Sequence, residues 1–260
     1  MATTPLRSRP WIGTGWKMTK TRSEADAYAR ALAEAAPSFV DAVNAFVLPS
    51  YPLIESVAAT LTPAGVQVGA QNVHWADSGA FTGEVSAPML IEIGATLASI
   101  GHAERRAMFG ETDDTVRARV VGALRNGLTP LICVGESIAE RDAGMEVPFV
   151  ERQLEISLDG LDSVAAANTM VAYEPVWAIG AGSTPATAEQ AEAMHETLRR
   201  KLVELHGEAG SRIPLLYGGS VDVKSAPELI SAPNIDGLFV GRAAWSVDGF
   251  IELAHIVAGR

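Results

Sequence analysis

The sequence predicts an α/β protein built as a closed (βα)8 barrel, and three observations carry that expectation. Eight short apolar runs recur along 260 residues, a spacing of about 32 residues, the length of one βα unit. Segments with helical periodicity fill the gaps, and such alternation means a parallel sheet covered by helices. No Pro/Ser-rich linker or low-complexity tract divides the chain, so residues 1–260 read as one domain. Eight units without a linker favour a closed barrel over an open sheet.

The strands are expected at residues 11–15, 45–48, 66–69, 97–101, 130–134, 170–173, 213–216 and 237–240, each an apolar run bounded by turn residues. Residues 23–36, 115–126 and 188–206 carry Ala and Leu on one stripe with charges opposite, the pattern of helices packed on a sheet.

In such a barrel the chemistry sits at the C-terminal ends of the strands. There the first strand offers Gly15 and Lys17, the fourth His102 and Glu104, the sixth Glu174, the seventh Gly219 and Ser220, and the eighth Gly241 and Arg242. The richest stretch is Glu174-Pro175-Val176-Trp177-Ala178-Ile179-Gly180. A carboxylate ends a strand, and an oddly apolar, Pro-started loop runs on to glycine. That describes a base beneath a hinged lid, since a lid excludes water and completes a site when substrate binds. A buried turn with an incidental Glu is the plainer alternative. Backbone N–H groups at Gly180 and residues 181–182, at Gly219 and Ser220, and at Gly241 and Arg242 are placed to converge on one dianion.

Composition narrows the classes. The net charge is −11 and no Lys/Arg cluster stands out, so neither nucleic acid nor an anionic membrane is an expected partner. No apolar run approaches the roughly 20 residues of a membrane span, and the N-terminus carries no secretion-signal core. The one cysteine, Cys133, lies in an apolar strand and reads as a buried, reduced thiol of the cytoplasm. His74, His195, His206 and His255 lack ligand spacing, and no dinucleotide fingerprint occurs, so neither metal nor cofactor is expected.

Taken in order, several motifs resemble triosephosphate isomerase. They are Trp16-Lys17-Met18, Gly69-Ala70-Gln71-Asn72 with Gly79-Ala80-Phe81-Thr82-Gly83-Glu84, and Gly101-His102-Ala103-Glu104-Arg105-Arg106. Phe109-Gly110-Glu111-Thr112-Asp113, Cys133-Val134-Gly135-Glu136, the segment after Glu174, and Tyr217-Gly218-Gly219-Ser220-Val221 continue the match, which covers residues 13–257. The resemblance implies a TIM barrel that isomerises a small phosphorylated sugar. Glu174 then matches the general base of an enediolate pathway, His102 the neutral imidazole that polarises the carbonyl, and Lys17 the cation that offsets phosphate and enediolate charge. Glu104 matches the acidic partner near that lysine, an ion pair with Arg105 or Arg106 being the alternative. A homodimer is also implied, with the loop bearing Trp75, Phe81 and Thr82 placing Thr82 near the partner's His102.

Departures from the family pattern point further. Gly15 stands where the family has Asn, Ala103 where it has Ser, Ser183 where the lid carries Lys, and Arg242 where it has a second Gly. Gly15 leaves a small void with room for one extra hydroxymethyl group. Arg242 either adds a cation near the phosphate or points outward, offering only its N–H. With Gln71-Asn72-Val73-His74-Trp75-Ala76-Asp77 and the stretch ending in Ala244-Trp245, the combination resembles the bacterial tetrulose-phosphate branch, isomerases of L-erythrulose 1-phosphate in erythritol use. The expected substrate is thus a four-carbon ketose phosphate (L-erythrulose 1-phosphate or D-erythrulose 4-phosphate). Interconversion of glyceraldehyde 3-phosphate and dihydroxyacetone phosphate is the alternative.

Overall fold

The computed structural model describes residues 7–180 and 184–259. Eight parallel strands close into a barrel in chain order: β1 (Trp11–Gly15), β2 (Asn44–Leu48), β3 (Gln67–Ala70), β4 (Leu97–Ile100), β5 (Thr129–Val134), β6 (Met170–Tyr173), β7 (Leu215–Tyr217) and β8 (Gly237–Val240). Closure is made by β1, which pairs Trp11 with Asn44 of β2 on one side and with Gly237 of β8 on the other.

Side chains alternate between two faces along each strand. Trp11, Phe46, Leu48, Leu131, Leu216 and Phe239 are among those that fill the barrel interior. Ile12, Val47, Ile100, Val171 and Leu238 face outward into a second apolar layer beneath the helices. The same alternation continued past β6 turns Tyr173 outward and Glu174 inward, over the mouth of the barrel.

Helices form where their caps and stripes predict. Helix Ala188–His206 starts at a capping box. The Thr187 N–H donates to Gln190 Oε1 at 3.0 Å and the Gln190 N–H to Thr187 Oγ1 at 3.2 Å, satisfying two otherwise orphaned donors. Its apolar stripe, with Ala191, Leu198 and Leu202, is fully buried.

Strands β2, β3, β4, β5 and β7 differ by one or two residues from their expected bounds, and three of the shifts have a visible cause. β3 starts one residue late because the Val66 N–H closes the preceding turn on the Leu61 carbonyl at 3.1 Å. β7 starts at Leu215: Pro214 has no N–H to give a ladder, and the Ile213 carbonyl takes the Arg199 guanidinium at 2.7 Å. β4 stops at Ile100 because Gly101 turns the chain through φ +76°. Among the described residues no helix is long and apolar enough to cross a membrane.

Candidate active site

Glu174 is the first residue beyond β6 and is only 2% exposed. Its N–H donates to the Val134 carbonyl at 2.7 Å, which ties it to the end of β5. Its carboxylate accepts the Ala103 N–H at 2.9 Å through Oε2, while Oε1 stands 3.3 Å from His102 Nε2. The backbones of β5 and β6 meet closely here: a methyl group on Gly135 would lie 1.8 Å from the Glu174 carbonyl oxygen. Cys133 lies in the wall beneath. Burial pushes its thiol well above the ordinary range and the Glu174 charge adds to the rise, so it is packing rather than a nucleophile.

His102 caps the helix Ala103–Phe109, with Nδ1 accepting the Glu104 N–H at 3.1 Å. An accepting Nδ1 carries no proton, so the ring's proton sits on Nε2, the atom that faces Glu174. Ala103 has no hydroxyl, and its backbone N–H alone supplies the donor to the carboxylate.

Lys17 follows β1 in the left-handed region at φ +51°, alone in this among the described non-glycine residues. A conformation of that kind costs on the order of 1–3 kcal/mol and persists only when its surroundings enforce it. Two side chains enforce it here. Ser50 Oγ–H and Gln71 Nε2–H donate to the Lys17 carbonyl at 2.9 and 2.8 Å, and Gln71 also reaches the Leu48 carbonyl at 3.0 Å. The ammonium lies 2.5 Å from Glu104 Oε1. Glu104 therefore pairs with Lys17, not with its neighbours in sequence: Arg105 turns to Glu111, and Arg106 to Asp113 at 2.6 Å.

Gly15 ends β1 beside Phe239. A Cβ on Gly15 would meet the Phe239 ring at 3.5 Å, an ordinary contact. The space expected there is thus walled by an aromatic edge, tilted over Phe46 at 5.8 Å between ring centres. The Gly15 carbonyl accepts the indole N–H of Trp245 at 3.0 Å.

The lid stem is half-buried. Trp177 Nε1–H donates to Glu136 Oε1 at 2.6 Å, and Tyr173 Oη–H and Arg141 reach the same oxygen at 3.0 and 3.2 Å. Ser220 Oγ–H holds the Ala178 carbonyl at 2.7 Å. Gly180 lies beyond with φ +111°; residues 181–183, with Gly182 and Ser183, fall outside the described residues. Gly219 follows β7, and Gly241 is the N-cap of a short 3-10 helix, Arg242–Ala244, directly after β8. Arg242 is exposed, and among the described residues its guanidinium has no hydrogen-bond or ion-pair partner. Thr82 is also exposed, on the loop after β3 that displays Trp75 and Phe81 at 37% and 42% exposure.

Sequence reading passed over Ser50, Gln71, Glu136, Phe239 and Trp245 as site-shaping residues. Of these, Gln71, Glu136 and Trp245 lay inside quoted motifs, yet nothing local connects, for instance, the Gln71 amide to a carbonyl 54 positions away. Among the described residues no group of three or more His, Cys, Asp or Glu side chains is arranged to hold a metal ion.

A TIM barrel thus gathers a carboxylate, an imidazole and an ammonium on its C-terminal rim, the side-chain types that acid–base chemistry uses. The family model for triosephosphate isomerase matches residues 10–257. The chain is 47% identical to an L-erythrulose-1-phosphate isomerase of Rhizobium etli over 244 residues, 94% of this chain and 90% of that protein. It is 46% identical to a protein of the same name from Mesorhizobium japonicum, over 94% of this chain and 95% of that one. The crystal structure of triosephosphate isomerase from Bartonella henselae superimposes with a TM-score of 0.86 at 36% identity, over 95% of this chain and 98% of that one. The chain belongs to the triosephosphate isomerase family.

Proposed function

We propose that this isomerase interconverts L-erythrulose 1-phosphate and D-erythrulose 4-phosphate through an enediolate, with Glu174 as the base. One observation carries the reaction type: Glu174 Oε1 faces the Nε2–H of His102 at 3.3 Å in a nearly water-free corner of the rim. In L-erythrulose 1-phosphate the carbonyl is at C2 and the hydroxyl at C3. Glu174 takes the C3 proton, the electron pair moves to form the C2–C3 enediolate, and the proton returns to C2. His102 Nε2–H donates to whichever oxygen carries charge and moves the hydroxyl proton between O2 and O3. Triosephosphate isomerase is itself the standard example of an imidazole kept neutral at a helix N-terminus for this task. Lys17, released in part from Glu104, offsets phosphate and enediolate charge. Because base and imidazole touch directly, the carboxylate leaves the Ala103 N–H as substrate enters between them.

Two features favour the four-carbon substrate. Gly15 removes a side chain at the reacting end, and the relatives quoted above at 46–47% identity carry the name L-erythrulose-1-phosphate isomerase. The three-carbon reading is not favoured. Phosphate is held in this reading by N–H groups of the lid and of the turns at Gly219-Ser220 and Gly241-Arg242. The rim loops also expose Met18, Trp75 and Phe81, which supports a homodimer with Thr82 facing the partner's His102. One domain, a cytoplasmic setting and a place in erythritol use complete the reading.

The test is isomerisation of L-erythrulose 1-phosphate in D2O. One solvent deuterium is expected on C2 of the substrate frame in the product, and Glu174→Gln is expected to lose at least 1,000-fold in kcat. Product formed without deuterium uptake, or a Glu174→Gln variant that keeps its rate, contradicts the base assignment.

A further inference from the structure

The end of β1 and the loop after β8 are joined by contacts that the reaction scheme does not use. Trp245 closes the 3-10 turn that begins at Arg242, its N–H donating to the Arg242 carbonyl at 3.2 Å. Its indole N–H crosses to the Gly15 carbonyl at 3.0 Å. In return, Lys20 Nζ donates to the Trp245 carbonyl at 2.7 Å while lying 5.3 Å over the Trp16 ring and 4.9 Å over the Tyr28 ring. Tyr28 Oη–H holds the Ala244 carbonyl at 2.9 Å. Burial lowers the Lys20 pKa, in keeping with an ammonium enclosed by the two rings and the loop.

These contacts bracket Lys17. Gly15 has no side chain to anchor it and more backbone freedom than any other residue type. Two residues later the chain must enter the left-handed region. The Lys17 carbonyl is pinned downstream by Ser50 and Gln71, and the Gly15 carbonyl is pinned upstream by Trp245. The upstream pin comes from the very loop whose turn carries Gly241 and Arg242.

We propose that Trp245 is a positioning residue that couples phosphate capture at the loop after β8 to the placement of the Lys17 ammonium. The inference rests on the sugar-phosphate reading of the rim. A dianion seated on the turn at Gly241 fixes Trp245, the indole fixes Gly15, and the ammonium two residues on is set over the site. Lys20 braces Trp245 from the opposite side.

Two probes separate the steps: inorganic phosphate, which reads the loops, and 2-phosphoglycolate, whose planar carboxylate resembles an enediolate and also reads Lys17. Affinities are measured by calorimetry on wild type, Trp245→Phe, Lys17→Ala and the double variant. Trp245→Phe keeps the ring and deletes the donor. It is expected to bind inorganic phosphate within twofold of wild type and phosphoglycolate about tenfold more weakly. In the Lys17→Ala background the same change is expected to cost less than twofold. Equal weakening of both probes, an undiminished tenfold loss without Lys17, or no loss at all overturns the proposal. Lys20→Met, which retains the apolar stem, is expected to repeat the pattern at about threefold, and decides the question should Trp245→Phe not fold. Wild-type protein that binds neither probe overturns the isomerase reading, and this inference with it. Normal wild-type binding with an indifferent Trp245→Phe overturns this inference alone.

Discussion

Replacing Gly135 by alanine should disable the enzyme without removing a polar atom. The new methyl group would lie 1.8 Å from the Glu174 carbonyl oxygen and 2.6 Å from the carbonyl carbon, and real contacts of this kind do not fall below 3.0 Å. The ends of β5 and β6 must therefore part by about 1.2 Å, from 1.8 to 3.0 Å. No flexible side chain can absorb the movement, because both partners are backbone. The two sides are also tied in place, Gly135 by its N–H to Gln153 Oε1 at 2.8 Å and Glu174 by its N–H to Val134 at 2.7 Å. Misplacing a reacting group by about 1 Å costs on the order of 100-fold in rate. Overpacking of this sort costs roughly 1–3 kcal/mol of stability. Steady-state kinetics on L-erythrulose 1-phosphate should show kcat lowered roughly 100-fold with a far smaller change in KM. The melting temperature should fall by about 2–4 °C for each kcal/mol lost. A Gly135→Ala enzyme with kcat within threefold of wild type and an unchanged melting temperature would refute the view that this contact positions the base.

Four further outcomes are expected. Gly15→Asn fits beside Phe239, whose ring would sit 3.5 Å from the new Cβ; it should raise turnover of glyceraldehyde 3-phosphate and lower that of the four-carbon substrate, and no gain on the triose counts against the role given to this space. Gln71→Leu removes the donor to the Lys17 and Leu48 carbonyls; kcat should fall about tenfold and stability by about 1–2 kcal/mol in urea unfolding, whereas unchanged kcat would deny the clamp. Trp177→Phe strips a donor from Glu136, which is 0% exposed, and should cost about 2 kcal/mol in the same assay; a variant as stable as wild type would show that the buried carboxylate needs no indole. His195 is fully buried, with Nδ1 2.8 Å from the Ala191 carbonyl, and burial lowers its pKa from 6.5 to about 4. The unfolded chain thus takes up the proton first as pH falls. Stability should drop between pH 6.5 and 4 by up to about 3 kcal/mol from this group, with no contribution above pH 6.5. His195→Gln should flatten that part of the profile, and identical slopes for the two proteins would contradict the assignment.

The barrel was legible because its signals are local. An apolar run such as Met170–Tyr173 must become a buried strand, and a Thr187–Gln190 capping box must start a helix. The start of β7 was set partly from a distance: the Ile213 carbonyl answers to Arg199, a residue of another element. The chemical groups Glu174, His102 and Lys17 could be read from motifs at strand ends. Their supports could not. The pairing of Glu104 with Lys17, 87 positions away, was expected only through the family resemblance, since two arginines adjoin Glu104 in sequence. The indole that holds Gly15 comes from 230 positions away. Gly15 itself announced missing volume, but only the folded barrel brings the Phe239 ring to the edge of that volume.

The most direct test of the account compares kcat/KM for L-erythrulose 1-phosphate and D-erythrulose 4-phosphate with that for dihydroxyacetone phosphate and glyceraldehyde 3-phosphate on the same purified protein. A preference of at least tenfold for the four-carbon pair is expected, about 1.4 kcal/mol of transition-state discrimination. A preference for the three-carbon pair would contradict the substrate assignment and the role given to Gly15.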